Sequence, residues 1–329
     1  MSQAPGPDRG ASAGTTLVTG AAGFAGRHLL RRLRGGSLVG WHHPETPAPG
    51  EFRDLTWRGV DLLDRAAVEA AVALDAPREI FHLAGAARVD TSWNNVVPHL
   101  RINALGTHRL LDAVRRAGRP CRVLVVTSAQ VYQSSDDPID ESAPLVPLTP
   151  YGLSKLAQDQ LAIRAAIADG LDVVVARPFN HTGPGQDAAF AVPSFARQIA
   201  RIEAGLAPPT VSVGNLDTRR DITDVRDVVG AYELLVRRAP PGRPFNICSA
   251  RAWRIGDLLE ELVRLARVPV AVATDPSRRR PHDVPVMQGD ATRLRSELGW
   301  MPRLSVETTL RDTLDWWRER VAAEPDSGP

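Results

Sequence analysis

Short apolar runs alternate with longer amphipathic segments over the first half of the chain. "TTLVTG", "SLVGW", "EIFHLAG", "RVLVVTS" and "LDVVVARP" are continuous apolar runs of strand length. The segments between them place leucine, valine and alanine at helical spacing, as in "DLLDRAAVEAAVAL", "NALGTHRLLDAVRRAG" and "TPYGLSKLAQDQLAIRAAIADG". Buried strands that alternate with helices are typical of a parallel sheet covered on both faces. We therefore predict an α/β fold built on a doubly wound parallel sheet.

The pattern of apolar and polar positions changes after about residue 180. Proline and glycine become frequent, as in "HTGPGQ", "GLAPPT" and "APPGRP", and the apolar runs become shorter. We predict a smaller, mixed α+β C-terminal lobe beside the sheet. The expected division is a disordered lead-in over residues 1–14, a main domain over 15–180 with about 215–238, the lobe over 181–214 and 239–321, and a tail over 322–329.

The composition excludes some classes of protein. Hydrophobic residues make up 43% of the chain and charged residues 24%, with a formal net charge of +2. Nucleic-acid-binding proteins usually concentrate their basic residues in a patch, whereas the one basic run here is short, at Arg278–Arg280. No apolar run reaches the ~18 residues that indicate a membrane span. We therefore expect neither a nucleic-acid partner nor a membrane.

The chain has two cysteines, Cys121 and Cys248, and each lies in an apolar run. Two cysteines cannot form a disulfide framework, so we interpret both as buried structural thiols. A reducing, cytoplasmic location is expected.

Glycines at regular spacing follow the first predicted strand, at Gly20, Gly23 and Gly26 in "TGAAGFAG". The first predicted helix begins at the same place. Glycines let a pyrophosphate approach the backbone, and a helix N-terminus favours negative charge. Strand, glycine loop and helix in this order predict a dinucleotide site, so the main domain is expected to be Rossmann-like.

The end of the second predicted strand bears on the choice between NAD and NADP. An NAD-preferring site usually has an acidic residue there, about 20 residues after the glycine loop. Trp41, His42 and His43 occupy this segment instead. Nothing here would repel a 2′-phosphate, and His42, His43 or Arg32 could meet one. We favour NADP(H) slightly over NAD(H), and no metal site is predicted because the histidines lack partners at metal-ligand spacing.

Forty residues are Lys or Arg, and Lys155 is the only lysine among them. It follows Tyr151 by four residues at the start of a predicted helix, so the two side chains share one face. A nearby ammonium lowers the pKa of a phenol, which would make Tyr151 a proton donor or acceptor near neutral pH. A lysine, unlike an arginine, is a compact charge whose pKa can be tuned. We predict that Tyr151 and Lys155 are catalytic.

A third polar group is expected at the end of a neighbouring strand. "VLVVTSAQVY" ends a predicted strand at Thr127 and Ser128, and the sites of parallel sheets lie at the carboxyl ends of strands. Ser128 is the better candidate to hydrogen-bond the phenol and the reacting oxygen, and Thr127 is the second.

These pieces together resemble the extended short-chain dehydrogenases/reductases, a family that acts mostly on nucleotide-activated sugars with a Ser/Thr–Tyr–Lys triad. The resemblance covers about residues 15–320 and rests on "VTGAAGFAG", "DLLD", "HLAG", "NALGTHRLLDA", "TSAQVY", "YGLSK" and "FNICSA". Within the family, "RPFNHTGPGQ", "GNLDTRRDITDVRDVVGAY" and "RRRPHDVP" are most similar to reductases of GDP-4-keto-6-deoxy-D-mannose that form GDP-D-rhamnose. The resemblance therefore implies a nucleotide-diphosphate sugar as substrate, with a GDP-sugar favoured.

The resemblance also implies further site residues. The cofactor would contact Gly20, Gly23, Phe24, Ala25, Gly26, His42, Asp61, Leu62, Leu83, Ala84, Gly85, Tyr151, Lys155 and Pro178. The substrate would contact Asn180, Val192, Arg197, Val213, Asn215, Arg220, Arg280 and Asp283. Among these, Asn180 would meet the diphosphate, Arg220 and Arg280 would pair with its phosphates, and Asp283 would hold a ribose. Arginine suits the phosphates because its planar fork binds them bidentately.

The residue two before Tyr132 separates the reactions of the family. The 4,6-dehydratases carry an acid there, whereas this chain has Gln130, preceded by Ala129. An amide cannot supply the acid/base function of an elimination, so a C4 ketoreductase is favoured over a dehydratase. A 4-epimerase with bound NAD stays an alternative, and a non-catalytic dinucleotide sensor is a remote one. The resemblance further implies a homodimer, paired through the helices at 103–117 and 152–169.

Overall fold

A central sheet of parallel strands organises the structure, a computed structural model that describes residues 14–33, 37–87, 92–93, 95–278 and 284–324. The strands are β1 (Thr15–Thr19), β2 (Ser37–His42), β3 (Thr56–Gly59), β4 (Glu79–His82), β5 (Arg122–Val126), β6 (Asp172–Pro178), β7 (Asn180–Thr182), β8 (Thr210–Val213), β9 (Arg219–Asp224), β10 (Pro244–Ile247), β11 (Ala252–Arg254), β12 (Ala271–Thr274) and β13 (Val286–Met287). Of the predicted lead-in over 1–14 and tail over 322–329, residues 1–13 and 325–329 lie outside the described residues, while Ala322 ends the last helix.

The helices connect these strands. They are α1 (Phe24–Arg32), α2 (Arg65–Asp75), α3 (Val96–Leu100), α4 (Thr107–Ala117), α5 (Pro150–Ala168), α6 (Ala191–Glu203), α7 (Val225–Arg238), α8 (Ile255–Arg264), α9 (Thr292–Leu298) and α10 (Val306–Ala322). A π-helical turn over Arg101–Gly106 joins α3 to α4.

The central sheet has seven strands in the order β10-β6-β5-β4-β1-β2-β3, and every pairing within it is parallel. The chain runs outward from β1 in one direction and, from β4 onward, in the other. The strand order therefore reverses between β1 and β4, where Thr19 lies beside His82. Ligands of such sheets bind at the carboxyl ends of the strands at this reversal.

Helices cover both faces of the sheet. On one face, α1, α7 and α9 contribute Leu29, Tyr232 and Leu294 to a buried apolar cluster. On the other face, α2, α4 and α5 pack around residues such as Val68 and Leu110. The continuous apolar strands of the sequence are thus buried on both sides, and the predicted α/β fold with a doubly wound parallel sheet is confirmed.

A separate apolar cluster forms the core of the C-terminal lobe. Helices α6, α8 and α10 pack together there through residues such as Phe195, Leu258 and Leu310. Short strands accompany them: β9 pairs with β7, β11 and β13, and β8 pairs with β12. No helix within the described part of the chain is both long and apolar enough to cross a membrane.

Two segments lie elsewhere than the expected domain boundaries place them. Pro244–Ile247 was expected in the lobe, but it forms the edge strand β10 of the central sheet beside β6. Arg219–Asp224 was expected in the main domain, but it is the central strand β9 of the lobe's sheet. Strand β3 was not predicted at all, because "TWRG" is a short edge strand without an apolar run.

Candidate active site

The glycine loop follows β1 at the reversal of strand order. Gly20 has φ 66, a left-handed conformation, and a Cβ atom there would lie 2.7 Å from the backbone nitrogen of Ala84. A Cβ atom on Gly26 would lie 2.4 Å from the carbonyl oxygen of Gly20. Only glycine fits these two positions, since one needs a positive φ and both need close backbone contact. Because these two residues are glycines, the backbone of the loop can pack closely against Ala84 and against the first turn of α1.

The N-terminus of α1 offers free backbone donors. Gly23 is its N-cap, and no side chain caps the helix. The first N–H groups of a helix have no partner within it, and they bind phosphate readily. The Gly23 N–H already donates to Gly20 O over 2.9 Å, so a dinucleotide pyrophosphate would accept from the N–H groups that follow, at Phe24 and Ala25.

Phe24 links this loop to the segment after β6. Its ring stacks on His181, with centroids 6.0 Å apart and an interplanar angle of 4°. It also meets His28 edge-on at 5.4 Å, and His28 Nε2 lies 2.8 Å from the carbonyl oxygen of Pro184. Because His181 follows Asn180 directly, the predicted cofactor loop and a predicted substrate residue are held in one packed unit.

The end of β2 is where a cofactor's adenosine ribose would lie. His42 Nδ1 is 2.9 Å from the carbonyl oxygen of His43, and the His42 ring packs edge-on against Trp57. His43 is exposed. Arg32 forms a 2.5 Å ion pair with Glu233.

The other predicted cofactor residues follow strands of the same edge. Leu83, Ala84 and Gly85 come directly after β4, and Pro178 ends β6. Asp61 accepts a 2.8 Å hydrogen bond from the backbone nitrogen of Leu63, next to buried Leu62. The fold thus places these positions at or just after the carboxyl ends of β3, β4 and β6.

Helix α5 begins at the predicted catalytic tyrosine. Thr149 is its N-cap and accepts a 2.9 Å hydrogen bond from the Gly152 nitrogen, and Pro150 occupies the first turn. A Cβ atom on Gly152 would lie 2.4 Å from the carbonyl oxygen of Gln130. The first turn of α5 therefore packs tightly against the segment after β5 that carries Ser128.

The Ser128 side chain is close enough to the Tyr151 phenol to lower its pKa. The Gln130 nitrogen donates to Ser128 Oγ over 3.1 Å, a contact that does not use the serine proton. Thr127 is used differently: its hydroxyl donates to Asp159 and to the carbonyl oxygen of Ala176, both over 3.1 Å. The geometry favours Ser128 over Thr127 as the third member of the triad.

Burial, rather than the lysine, controls the pKa of Tyr151. Desolvation raises this pKa to about 12, and the Ser128 hydrogen bond opposes the increase. The prediction that Lys155 lowers it is wrong, because the ammonium is directed to Val126 O at 3.1 Å and to Gln158 Oε1 at 2.8 Å. The phenol is therefore protonated at neutral pH, the form that donates a proton.

Lys155 is slightly more buried than the tyrosine, with 6% of its surface exposed against 8%. Desolvation lowers its pKa to about 7, since burial in a low dielectric disfavours the charged form. The prediction that a tunable lysine, rather than an arginine, is used here agrees with this environment.

The predicted substrate residues that the structure describes lie on several elements. Asn180 is exposed on β7, Asn215 is exposed after β8, and Arg220 lies on β9. Arg197 projects toward α10, where its guanidinium lies over Trp317 and 3.7 Å from Glu324.

The remaining predicted substrate residues are core residues or fall outside the described residues. Val192 and Val213 lie in the apolar core of the lobe, 4% and 1% exposed. Arg280 and Asp283 lie outside the described residues.

Several buried polar residues around the triad were not predicted. Gln158, Thr107 and His82 connect Lys155 to β4 and β1. The motifs "HLAG" and "NALGTHRLLDA" contain two of them, but helical or strand periodicity alone predicts no role for them. Within the residues that the structure describes, no three His, Cys, Asp or Glu side chains lie together as a metal site would require.

Comparison with known proteins agrees with this geometry. The family model described as GDP-mannose 4,6 dehydratase matches residues 17–313. The chain is 36% identical, over 94% of its length and 98% of the relative, to a GDP-6-deoxy-D-mannose reductase of Pseudomonas aeruginosa.

Solved structures are similar as well. RMD from Pseudomonas aeruginosa, complexed with NADPH, superposes with a TM-score of 0.82 at 34% identity, covering 93% of this chain and 99% of that one. A UDP-glucose 4-epimerase of Thermus thermophilus, complexed with NAD, has a TM-score of 0.82 at 26% identity, covering 92% and 99%. The chain therefore belongs to the GDP-mannose 4,6-dehydratase family of extended short-chain dehydrogenases/reductases, enzymes that use a nicotinamide dinucleotide and act on nucleotide sugars.

Proposed function

We propose that this enzyme reduces the C4 keto group of GDP-4-keto-6-deoxy-D-mannose with NAD(P)H and forms GDP-D-rhamnose. The observation that carries this proposal is a buried proton donor next to two positions that hold no acid. Tyr151 is protonated at neutral pH, while the neighbouring positions 129 and 130 hold alanine and glutamine. The similarity to a GDP-6-deoxy-D-mannose reductase supports the same reaction.

A reduced nicotinamide, when bound, supplies the hydride that is added to C4. Tyr151 donates its phenolic proton to the carbonyl oxygen as negative charge develops there. Ser128, whose Oγ already accepts from the Gln130 nitrogen, orients that oxygen through its hydroxyl proton. Lys155, whose ammonium donates to Val126 O and Gln158 Oε1, would hold the ribose of the dinucleotide through its third N–H.

A 4,6-elimination would need an additional group to remove a proton next to the carbonyl. Gln130 is half-buried, and its backbone nitrogen and carbonyl oxygen are packed against Ser128 and Gly152. Its amide side chain has no usable acid or base form at neutral pH. The site is therefore better suited to reduction than to dehydration.

The choice of NADP(H) over NAD(H) remains a slight preference. His42 and His43 at the end of β2 are compatible with a 2′-phosphate, and no carboxylate follows the strand directly there. The contacts of the GDP-sugar with Asn180, Arg220, Arg280 and Asp283 are part of the same proposal. The cytoplasmic location expected from the cysteines also stays a prediction.

We further propose that two copies of the chain pair through the helical segments 103–117 and 152–169. Large apolar side chains are exposed on these segments: Leu105 is 36%, Leu153 48% and Ile167 75% exposed. Leu153→Arg is expected to convert a dimer into a monomer in sedimentation velocity, because the new charge would be buried at the interface. Leu206→Arg is the matched control, since Leu206 is 44% exposed in the lobe. A monomeric wild-type chain, or a Leu153→Arg variant that stays dimeric, would exclude this interface.

The proposed reaction is tested by following nicotinamide absorbance. GDP-4-keto-6-deoxy-D-mannose, formed in situ by a separate dehydratase, is mixed with purified enzyme and either NADPH or NADH. We expect steady oxidation of the cofactor, faster with NADPH, and a rhamnose-configured sugar in the product by NMR. Absence of oxidation, together with interconversion of GDP- or UDP-sugars without added cofactor, would identify an epimerase instead.

A further inference from the structure

A continuous series of buried hydrogen bonds leads away from Lys155. Lys155 Nζ donates to Gln158 Oε1 over 2.8 Å, and Gln158 Nε2 donates to Thr107 Oγ1 over 2.9 Å. Thr107 Oγ1 is also 2.8 Å from His82 Nε2. Gln158, Thr107 and His82 are each fully buried. These three residues, called the lysine network below, come from α5, α4 and β4.

The proton positions in the lysine network follow from its donors and acceptors. The Thr107 hydroxyl donates its proton to Asn103 O over 2.7 Å. Its oxygen therefore accepts from both Gln158 Nε2 and His82 Nε2, which places the imidazole proton on Nε2. His82 Nδ1 then accepts from the Thr19 hydroxyl over 2.7 Å. Each of these side chains has a hydrogen-bond partner. The Gln158 amide can make both of its hydrogen bonds only with Oε1 toward Lys155 and Nε2 toward Thr107.

The π-helical turn over Arg101–Gly106 makes this arrangement possible. Its Asn103 carbonyl oxygen receives the Thr107 proton, and the Asn103 amide donates to Ser154 Oγ over 2.8 Å. The turn thus ties α4 to the same part of α5 that carries Lys155. Such π-helical turns within helices occur frequently at functional sites.

We propose that Gln158 is a positioning residue for Lys155: Thr107, which is itself bonded to His82, holds the Gln158 amide so that the amide oxygen orients the ammonium. The proposed reduction is the setting for this role. Apart from Val126 O, Gln158 Oε1 is the acceptor that holds the ammonium. A hydrogen bond to the charged form favours that form, so Gln158 opposes the desolvation that lowers the pKa of Lys155.

Two titratable groups near Lys155, His82 and Tyr151, stay uncharged near neutral pH. Burial lowers the pKa of His82 to about 3 and raises that of Tyr151 to about 12. Asp159, in the next turn of α5, is ion-paired with Arg177 at 2.7 Å. A titration of Lys155 near pH 7 therefore reports on the lysine itself.

The single lysine permits a direct test that needs no substrate. Protein labelled with 13C- and 15N-lysine, on a lysine-free tag, gives one lysine signal. We expect a pKa near 7 for the wild type, a decrease of about one unit in Gln158→Met and an increase in Gln158→Glu, where a carboxylate faces the ammonium. With substrate, Gln158→Met should lower kcat about tenfold at neutral pH and leave KM for the sugar within about twofold.

The matched pair Thr107→Val and Thr107→Ser tests the rest of the network. Thr107→Val lacks the hydroxyl that holds Gln158, so the pKa of Lys155 should decrease in this variant as it does in Gln158→Met. Thr107→Ser keeps a hydroxyl, so its Lys155 pKa should equal that of the wild type. Unchanged lysine signals and kcat in Gln158→Met would overturn the proposal. If Thr107→Val unfolds at a lower temperature but keeps the wild-type pKa of Lys155, the lysine network has a structural role only and the proposal is overturned. If the wild type fails to reduce the keto sugar, the proposed function fails, while the lysine titration still decides the role of Gln158.

Discussion

Tyr151→Phe is expected to lower kcat for keto-sugar reduction by about two to four orders of magnitude. The phenol is the proton donor of the proposed reaction, and burial keeps it protonated, with its pKa raised to about 12. The ring itself stays, so its packing at the start of α5 and the affinity for NADPH should change little. Stopped-flow single turnovers and a fluorescence titration with NADPH measure the two quantities separately.

Tyr132→Phe is the matched control for this prediction. Its hydroxyl donates to Asn246 Oδ1 over 2.7 Å and accepts from Arg177 over 2.9 Å, so it belongs to a buried structural network. Its removal should cost about 1 kcal/mol of stability and leave most of the turnover. Substantial turnover by Tyr151→Phe would contradict the assignment of the proton donor.

Asp159→Ala should produce the largest loss of stability among single substitutions near the site. Asp159 receives two hydrogen bonds from Arg177, at 2.9 and 2.7 Å, and the two side chains are 0% and 2% exposed. Removal of one partner leaves a buried charge without compensation, which costs about 3–5 kcal/mol. Urea unfolding at constant pH measures this difference.

Asp169→Ala is the comparison at the C-terminal end of the same helix. Asp169 pairs with Arg164 at 2.8 Å, but Arg164 is 59% exposed. Ion pairs at the surface contribute at most about 1 kcal/mol, so the urea concentration at the midpoint of unfolding should change little. If Asp159→Ala and Asp169→Ala lower the free energy of unfolding equally, the Asp159–Arg177 pair does not stabilise the fold in the way that its burial indicates.

Local patterns predicted much of the main domain. The five predicted strands of the first half and the helices between them are all present, because a buried strand and an amphipathic helix each leave a clear periodicity in the sequence. Strand β3 was not predicted, and β10 was assigned to the C-terminal lobe, because neither strand leaves such a periodicity in the sequence. Both are short edge strands, and their pairing with β2 and β6 depends on the fold rather than on their own residues.

The sequence by itself determined the glycine loop and the spacing of Tyr151 and Lys155, because both are short-range patterns whose geometry follows from one turn or one helix. Tertiary structure decided the protonation of the site and the orientation of the lysine. The pKa of a phenol or ammonium depends on the depth of its burial, and Gln158, Thr107 and His82 meet only after helices α4 and α5 pack on the sheet. Contacts between residues so far apart in the chain leave no periodic signal, so only the folded structure reveals them.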